Sequence, residues 1–271
     1  MNNELFEIRK RAILLNCPDA TNIHAPSTTG AQNNVLIAKT QNGYTVFKFG
    51  THALAKKNAI ASQLYNIRGI PVPHVTAHNI DGICFEKYDM ISGITLFEAI
   101  KNGMTDEQIK QVYNDILIEF DKMSYILPTY LNENLICNVH DIAMLNVSNT
   151  NNSVLGKLCM ALVYIMNIGH KQDLAIFHSD ITPKNIIVSD DYKFKYFIDL
   201  DNVCVCNKNY AFSIMAAKYK ELGFDVHELI NIYRQISHQI LPVSNIDRRV
   251  ALATSVKRML WQHANKKNRQ K

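Results

Sequence analysis

The sequence predicts an α+β protein in two parts, a small antiparallel sheet followed by a mainly helical region. Three observations predict it. Between Ile23 and Phe49 apolar residues alternate with a period of two around Asn42-Gly43, a hairpin signal because both positions tolerate positive φ. From Thr105 onward the apolar period lengthens to that of helices. Around Phe177–Asp201 two short apolar strands, separated by polar turns, interrupt the helical pattern. The expected division is 1–88 and 89–271.

The chain has 271 residues, enough for one large domain or two small lobes, and 47% of them are hydrophobic, which supports a sizeable core. Lys plus Arg number 29 against 24 Asp plus Glu, a formal charge of +5. Part of that excess is Lys266, Lys267, Arg269 and Lys271 in a solvated tail. No basic face is clustered enough for nucleic acid, so none is expected as partner. Of the six cysteines only Cys204-Val205-Cys206 form a close pair, and most lie in apolar segments, which fits free thiols in a reducing compartment. No basic start leads into an apolar leader. The longest apolar run, Leu158 to Met166, is too short to span a bilayer. The expectation is a cytoplasmic protein with no membrane partner.

In chain order, Glu4–Leu15 reads as a helix with Leu5, Ile8 and Ile13 inward, ended by Pro18. Val35–Ala38 and Tyr44–Phe49 read as strands. Tyr44, Val46 and Lys48 point to one side of the second, and Thr45, Phe47 and Phe49 to the other. Before them lies Ser27-Thr28-Thr29-Gly30, small hydroxyl residues beside a glycine whose backbone N–H groups suit phosphate. Residues 53–67 form a helix with an Ile60, Leu64, Ile67 stripe, stopped at Gly69. Ile70–Val75, with two prolines, runs extended. Ile83–Tyr88 is a strand leading through Asp89–Leu96 into the helical part. Thr105 and Gln108 make a capping box for a helix with Ile109, Val112, Ile116, Phe120 and Met123 on its apolar face. Residues 128–152 are polar and Asn-rich, an insertion or substrate-side loop. Helices are expected at 153–168, 209–222, 225–239 and 247–263, the third of these with Val226, Leu229, Tyr233 and Ile236 on one face.

The chemistry is concentrated in Phe177-His178-Ser179-Asp180-Ile181-Thr182-Pro183-Lys184-Asn185 and in Tyr196-Phe197-Ile198-Asp199-Leu200-Asp201, the latter read as strand. Phosphoryl transfer needs an acceptor for a hydroxyl proton and oxygen ligands for magnesium. Asp180 suits the first role, Asn185 and Asp199 the second.

The pattern His-x-Asp-x-x-x-x-Asn at 178–185 resembles the catalytic loop of protein-kinase-like enzymes. The apolar run into Ile198-Asp199, with no Phe-Gly after it, is more similar to the aminoglycoside phosphotransferase and choline kinase branch, as is Gly-Ile-Pro-Val-Pro at 69–73. The resemblance implies a bilobal protein-kinase-like fold with a small antiparallel-sheet N-lobe and a mainly helical C-lobe. It implies ATP and Mg²⁺ as cofactors and a hydroxyl-bearing small molecule as phosphate acceptor. Asp180 would be the base, with Lys184 beside the transferred phosphate. Lys48 would hold phosphates under the Ser27, Thr28, Thr29, Gly30 loop. Glu86 and Tyr88 would lie at the adenine-facing hinge, and Asp201 would be second in line behind Asp199 or face the substrate.

The sequence also departs from the pattern. Asn58 stands where the family usually carries a helix glutamate paired with the strand lysine, and no Gly-Asp-Pro follows Asp199. A kinase-fold binding module without activity is therefore the alternative. A protein kinase ranks behind both, because no Ala-Pro-Glu segment follows Asp199.

Overall fold

The computed structural model describes residues 3–26, 34–128, 174–223 and 225–237. The expected helices at 153–168 and 247–263 and the 128–152 loop beyond residue 128 lie outside them. The chain divides into two compact units: Met1–Gly93 with Tyr196–Asp201, and Ile94–Lys195 with Asn202–Lys271.

The first unit is built on a five-stranded antiparallel sheet. Helix α1 (Asn3–Asn16) precedes β1 (Thr21–His24), β2 (Val35–Thr40) and β3 (Gly43–Phe49); α2 (His52–Ile67), β4 (Thr76–Ile80) and β5 (Ile83–Asp89) follow. The strand order is β1-β2-β3-β5-β4. The β2–β3 hairpin closes at Asn42-Gly43 as the sequence predicts, with Gly43 at φ 118°, a conformation that favours residues without a Cβ.

Strand periodicity splits this sheet into an apolar face and a charged one. Phe47, Phe49 and Phe85 join Ala12 and Ile13 of α1 in a core with Leu36 and Ala38. Phe85 lies 5.8 Å from Phe47 and 5.5 Å from Phe49 between ring centroids, and His78 stacks on it at 5.3 Å. Lys48, one residue out of phase with those phenylalanines, falls on the opposite face, paired in register with Glu86 on β5. Helix α2 packs on β4 and β5.

Two expected apolar stripes need correction. On α1, Ile13 is fully buried, but Leu5 and Ile8 are 40% and 43% exposed. On α2, Ile67 is 72% exposed, and the buried line is Ala55, Asn58, Ala61, Ser62 and Tyr65. The helix turns its small and polar side to the sheet because that face carries charge. Hydrophobic periodicity cannot find a buried stripe made of Ala, Ser and Asn. Thr51 caps α2, accepting from the Leu54 N–H at 3.2 Å, and Gly69, at φ 67°, follows its last turn.

In the second unit β6 (Ile94–Thr95) leads into α3 (Leu96–Lys101) and α4 (Asp106–Met123). The Thr105–Gln108 capping box forms as expected. Val112, Ile116, Phe120 and Met123 are buried. After β7 (Leu174–His178) come β8 (Ile186–Val188), β9 (Phe194–Phe197) and β10 (Val203–Asn207). β7 pairs antiparallel with β10, and β6, β8 and β9 form a three-stranded sheet. Helices α5 (Lys208–Glu221) and α6 (Val226–Ser237) complete the described part. Phe120 sits among Phe177, Phe212 and Tyr233, and Phe212 stacks on Tyr233 at 3.9 Å. Val226, Leu229 and Tyr233 are buried as the α6 pattern predicts.

Among the described residues Cys17, Cys84, Cys204 and Cys206 are free thiols, and no helix is long and apolar enough to cross a membrane.

Phe85 carries the first core. Phe85→Ala should cost about 3–5 kcal/mol in urea unfolding, the usual loss for a buried phenylalanine. A loss under about 1 kcal/mol would mean that this face is not tightly packed.

Candidate functional site

Two polar constellations emerge, one in each unit. The first surrounds Lys48. Its Nζ lies 2.6 Å from Asp199 Oδ1 and 2.7 Å from Asp201 Oδ1. The sequence reading of residues 196–201 as continuous strand is wrong here. β9 ends at Phe197, Asp199 adopts φ 64°, and Leu200–Asn202 makes a 3₁₀ turn. A left-handed aspartate is an uncommon conformation, costing on the order of 1–3 kcal/mol where it is strained. That twist, followed by the tight turn, brings both carboxylates to one ammonium. The segment is anchored by the Phe197 N–H, which donates to Pro71 O at 2.9 Å, and by Lys57 Nζ, which donates to the Asp201 carbonyl.

Asn58 lies in the same cluster, fully buried on α2. Its Nδ2 donates to Glu86 Oε1 and to Asp201 Oδ1, both at 2.7 Å. Three carboxyl groups thus gather around one half-buried lysine. Burial would lower the Lys48 pKa, but Asp199, Asp201 and Glu86 outweigh it and hold the ammonium above its ordinary range. Glu86 is 5% exposed. Burial pushes its carboxyl up to about 7, against the pull of Lys48 and with the push of Asp201. Burial likewise raises the Tyr88 phenol. Glu86 and Tyr88 lie in the interior of the sheet on β5, in register with Lys48 and Val46 of β3.

The second constellation surrounds Asp180, on the turn after β7. Its backbone N–H donates to Nδ1 of the buried His178 at 3.2 Å, so the histidine braces the loop. Asn185 Nδ2 donates to the Asp180 carbonyl at 3.0 Å and to its Oδ2 at 3.2 Å. Asn202 Nδ2 reaches the same Oδ2 at 3.3 Å. Ser179 Oγ donates to Asn202 O at 2.6 Å. Lys218 of α5 donates to Asp180 Oδ1 and, at 3.2 Å, to Ser179 O. With its nitrogen turned to Asp180, the oxygen is what Asn185 has left to offer a cation. Lys184 is exposed, its Nζ 5.2 Å from the centre of the Phe97 ring, which Lys101 also approaches at 4.4 Å.

Ser27, Thr28, Thr29 and Gly30 lie outside the described residues. Of the residues now seen around the two centres, Lys218 was not found by sequence reasoning. A lysine in the last turn of a helix has an ordinary role beside the helix dipole, and nothing in its spacing points to Asp180.

The donor chemistry fits magnesium. Asp199 offers a hard oxygen from a side chain 39% exposed, and the carboxylates around Lys48 outnumber it. Among the described residues no three His, Cys, Asp or Glu side chains form a metal cage. Magnesium is commonly held by one or two carboxylates together with substrate phosphates and water, so a sparse protein contribution suits it.

The backbone is similar in fold to solved phosphotransferase structures. It matches an aminoglycoside-3'-phosphotransferase of type VIII at TM-score 0.68 and 12% identity, covering 92% of this chain and 98% of that one. It matches choline kinase LicA from Streptococcus pneumoniae at 0.66 and 14%, covering 99% and 93%. The chain has the protein-kinase-like fold. It also matches an aminoglycoside phosphotransferase from Streptomyces rimosus, solved with ADP and streptomycin, at 0.68 and 12%, covering 94% and 98%. The small antiparallel sheet and the helices are those of the protein-kinase-like fold expected from the catalytic-loop pattern. No protein-family model and no curated protein sequence matches the chain.

The Glu86 carboxyl generates a pH prediction. A carboxyl whose pKa is higher folded than unfolded makes the native state bind more protons, so stability falls as pH rises from about 4.5 to about 7. Glu86→Gln removes that contribution. The melting temperature of the wild type minus that of Glu86→Gln should therefore decline across this window, by the equivalent of at most ~3 kcal/mol. A difference that stays level or rises would show that Glu86 titrates normally.

Proposed function

We propose that the protein is an ATP- and Mg²⁺-dependent phosphotransferase that moves a γ-phosphoryl group to a hydroxyl of a small molecule. The observation that carries this reading is the Lys48–Asp199 ion pair at 2.6 Å, in a chain whose fold is that of phosphotransferases. A lysine ammonium held beside an exposed carboxylate provides a cation for phosphate oxygens and an oxygen ligand for their metal.

Each residue then has a task that its surroundings support. Lys48 binds the nucleotide phosphates, and its strong pairing keeps it charged. Asp199 and Asn185 are the oxygen ligands for Mg²⁺, which when bound neutralises phosphate charge. The backbone around Glu86 and Tyr88 leads into the hinge that meets the base, and Ser27, Thr28, Thr29 and Gly30 cover the phosphates. Asp180 accepts the hydrogen bond of the acceptor hydroxyl and takes its proton as the phosphoryl group transfers. Asn185, Asn202 and Lys218 hold that carboxylate still, and His178 fixes the loop beneath it. Lys184 helps neutralise the transferred group. Catalysis of this kind is mostly positioning and electrostatics, which the dense hydrogen bonding around Asp180 serves.

The acceptor is a small hydroxylated molecule. The solved neighbours include enzymes of aminoglycosides and of choline, and acceptors of both kinds belong in the first screen. Lys218 beside Asp180 sets a cation next to the base, so neutral and acidic alcohols belong there too.

The test is a screen of hydroxylated metabolites and aminoglycosides, read by acceptor-dependent ADP release. Asp180→Ala and Asp199→Ala should each lower turnover roughly a hundredfold or more while the protein stays folded, the scale of removing a positioned catalytic group. Lys218→Met should lower turnover by less. Full activity in a folded Asp199→Ala variant would remove that residue from metal binding. Tight Mg-ATP binding without transfer to any acceptor would favour the binding-module alternative.

A further inference from the structure

The amide of Asn58 occupies a position in which only a donor works. Its Nδ2 faces two carboxylates at 2.7 Å, Glu86 from β5 and Asp201 from the turn after Asp199. Asp201 Oδ1 also accepts from Lys48 at 2.7 Å. A continuous path therefore runs from Glu86 through Asn58 and Asp201 to Lys48 and Asp199. Among the described residues Asn58 Oδ1 has no hydrogen-bond partner, although it is buried. A buried polar atom left alone is destabilising, so the amide is held in this orientation by what its nitrogen gains. The flipped orientation would turn the oxygen toward both carboxylates.

We propose that Asn58 is a positioning residue that seats Lys48 for the nucleotide phosphates: with its amide N–H groups it binds Asp201 against the lysine and ties that pair to β5 through Glu86. Helix α2 thus reaches Lys48 through a shared carboxylate, that of Asp201, which meets the ammonium alongside Asp199. A glutamate or aspartate at position 58 would confront Glu86 and Asp201 with a third negative charge in a buried space. This role rests on the phosphotransferase reading above.

The rank of three variants decides it. Asn58→Ala removes volume and donors. Asn58→Asp keeps the volume and replaces the donor by a negative charge. If the side chain served only as packing, the isosteric aspartate would be the milder change. The proposal expects the reverse at pH 8: the melting temperature should fall in the order wild type, Asn58→Ala, Asn58→Asp. The double variant Asn58→Asp with Asp201→Asn returns a donor to the pair, with the charge exchanged, and should regain at least half of the loss. An aspartate that melts as high as the alanine overturns the bridge, and so does a double variant no better than Asn58→Asp. Should Asn58→Asp not fold, refolding of the double variant supports the bridge and its failure overturns it.

A second measurement reads the positioning itself. Mg-ATP affinity by calorimetry should weaken at least about fivefold in folded Asn58→Ala, a change of about 1 kcal/mol at the phosphate-binding lysine. An unchanged affinity overturns the positioning role even where the stability order holds. If the wild type binds no Mg-ATP, the phosphotransferase reading fails and the seating role with it, while the melting series still decides whether the amide bridges the two carboxylates.

Discussion

One half-buried ammonium organises the first unit. Lys48 sits on the charged face of β3 because the strand alternates, and it is shared by Asp199 and Asp201. Burial alone would lower the pKa of a lysine so enclosed. Two direct carboxylates keep it charged, and a third, Glu86, stands opposite on β5. The arrangement carries more negative charge than one lysine balances. The structure relieves the excess by raising the Glu86 carboxyl toward neutrality and by setting the Asn58 amide between the acids. What remains suits a cation bound with phosphate.

The second unit meets a similar demand by different means. Asp180 stands on a short turn after β7, yet its carboxylate and backbone are held by His178, Asn185, Asn202 and Lys218. The apolar packing of Phe120, Phe177, Phe212 and Tyr233 gives that turn a rigid base. A group that must meet a substrate within a few tenths of an ångström benefits from both.

Much of this was legible in the sequence, and the reasons are particular. Asn42-Gly43 forced the hairpin, and its register placed Lys48 opposite the phenylalanine face. The 178–185 spacing identified a loop whose groups do converge on Asp180. Thr105 and Gln108 capped the helix that they announced. The misses came where polarity, not hydrophobicity, filled an interior. Helix α2 buries Ala55, Asn58, Ser62 and Tyr65, so its stripe was read from the wrong residues. Asp199 was read as strand because single-residue left-handed geometry leaves no mark in an aspartate-containing run. Asn58 looked like the loss of an acid. In the fold it is a donor where acids crowd, and the acids meeting the lysine are Asp199 and Asp201. Lys218 could not be found, since its partner is 38 residues away and its helix gives it an ordinary alternative.

The most direct test of the central claim is calorimetric titration of Mg-ATP into the wild type and into folded Lys48→Met. The account predicts binding by the wild type that weakens at least about tenfold in the variant, a loss of about 1.4 kcal/mol, and that also weakens when magnesium is withheld. Equal affinity in the two proteins would contradict it, because the ammonium that gathers the carboxylates would then have no part in holding phosphate.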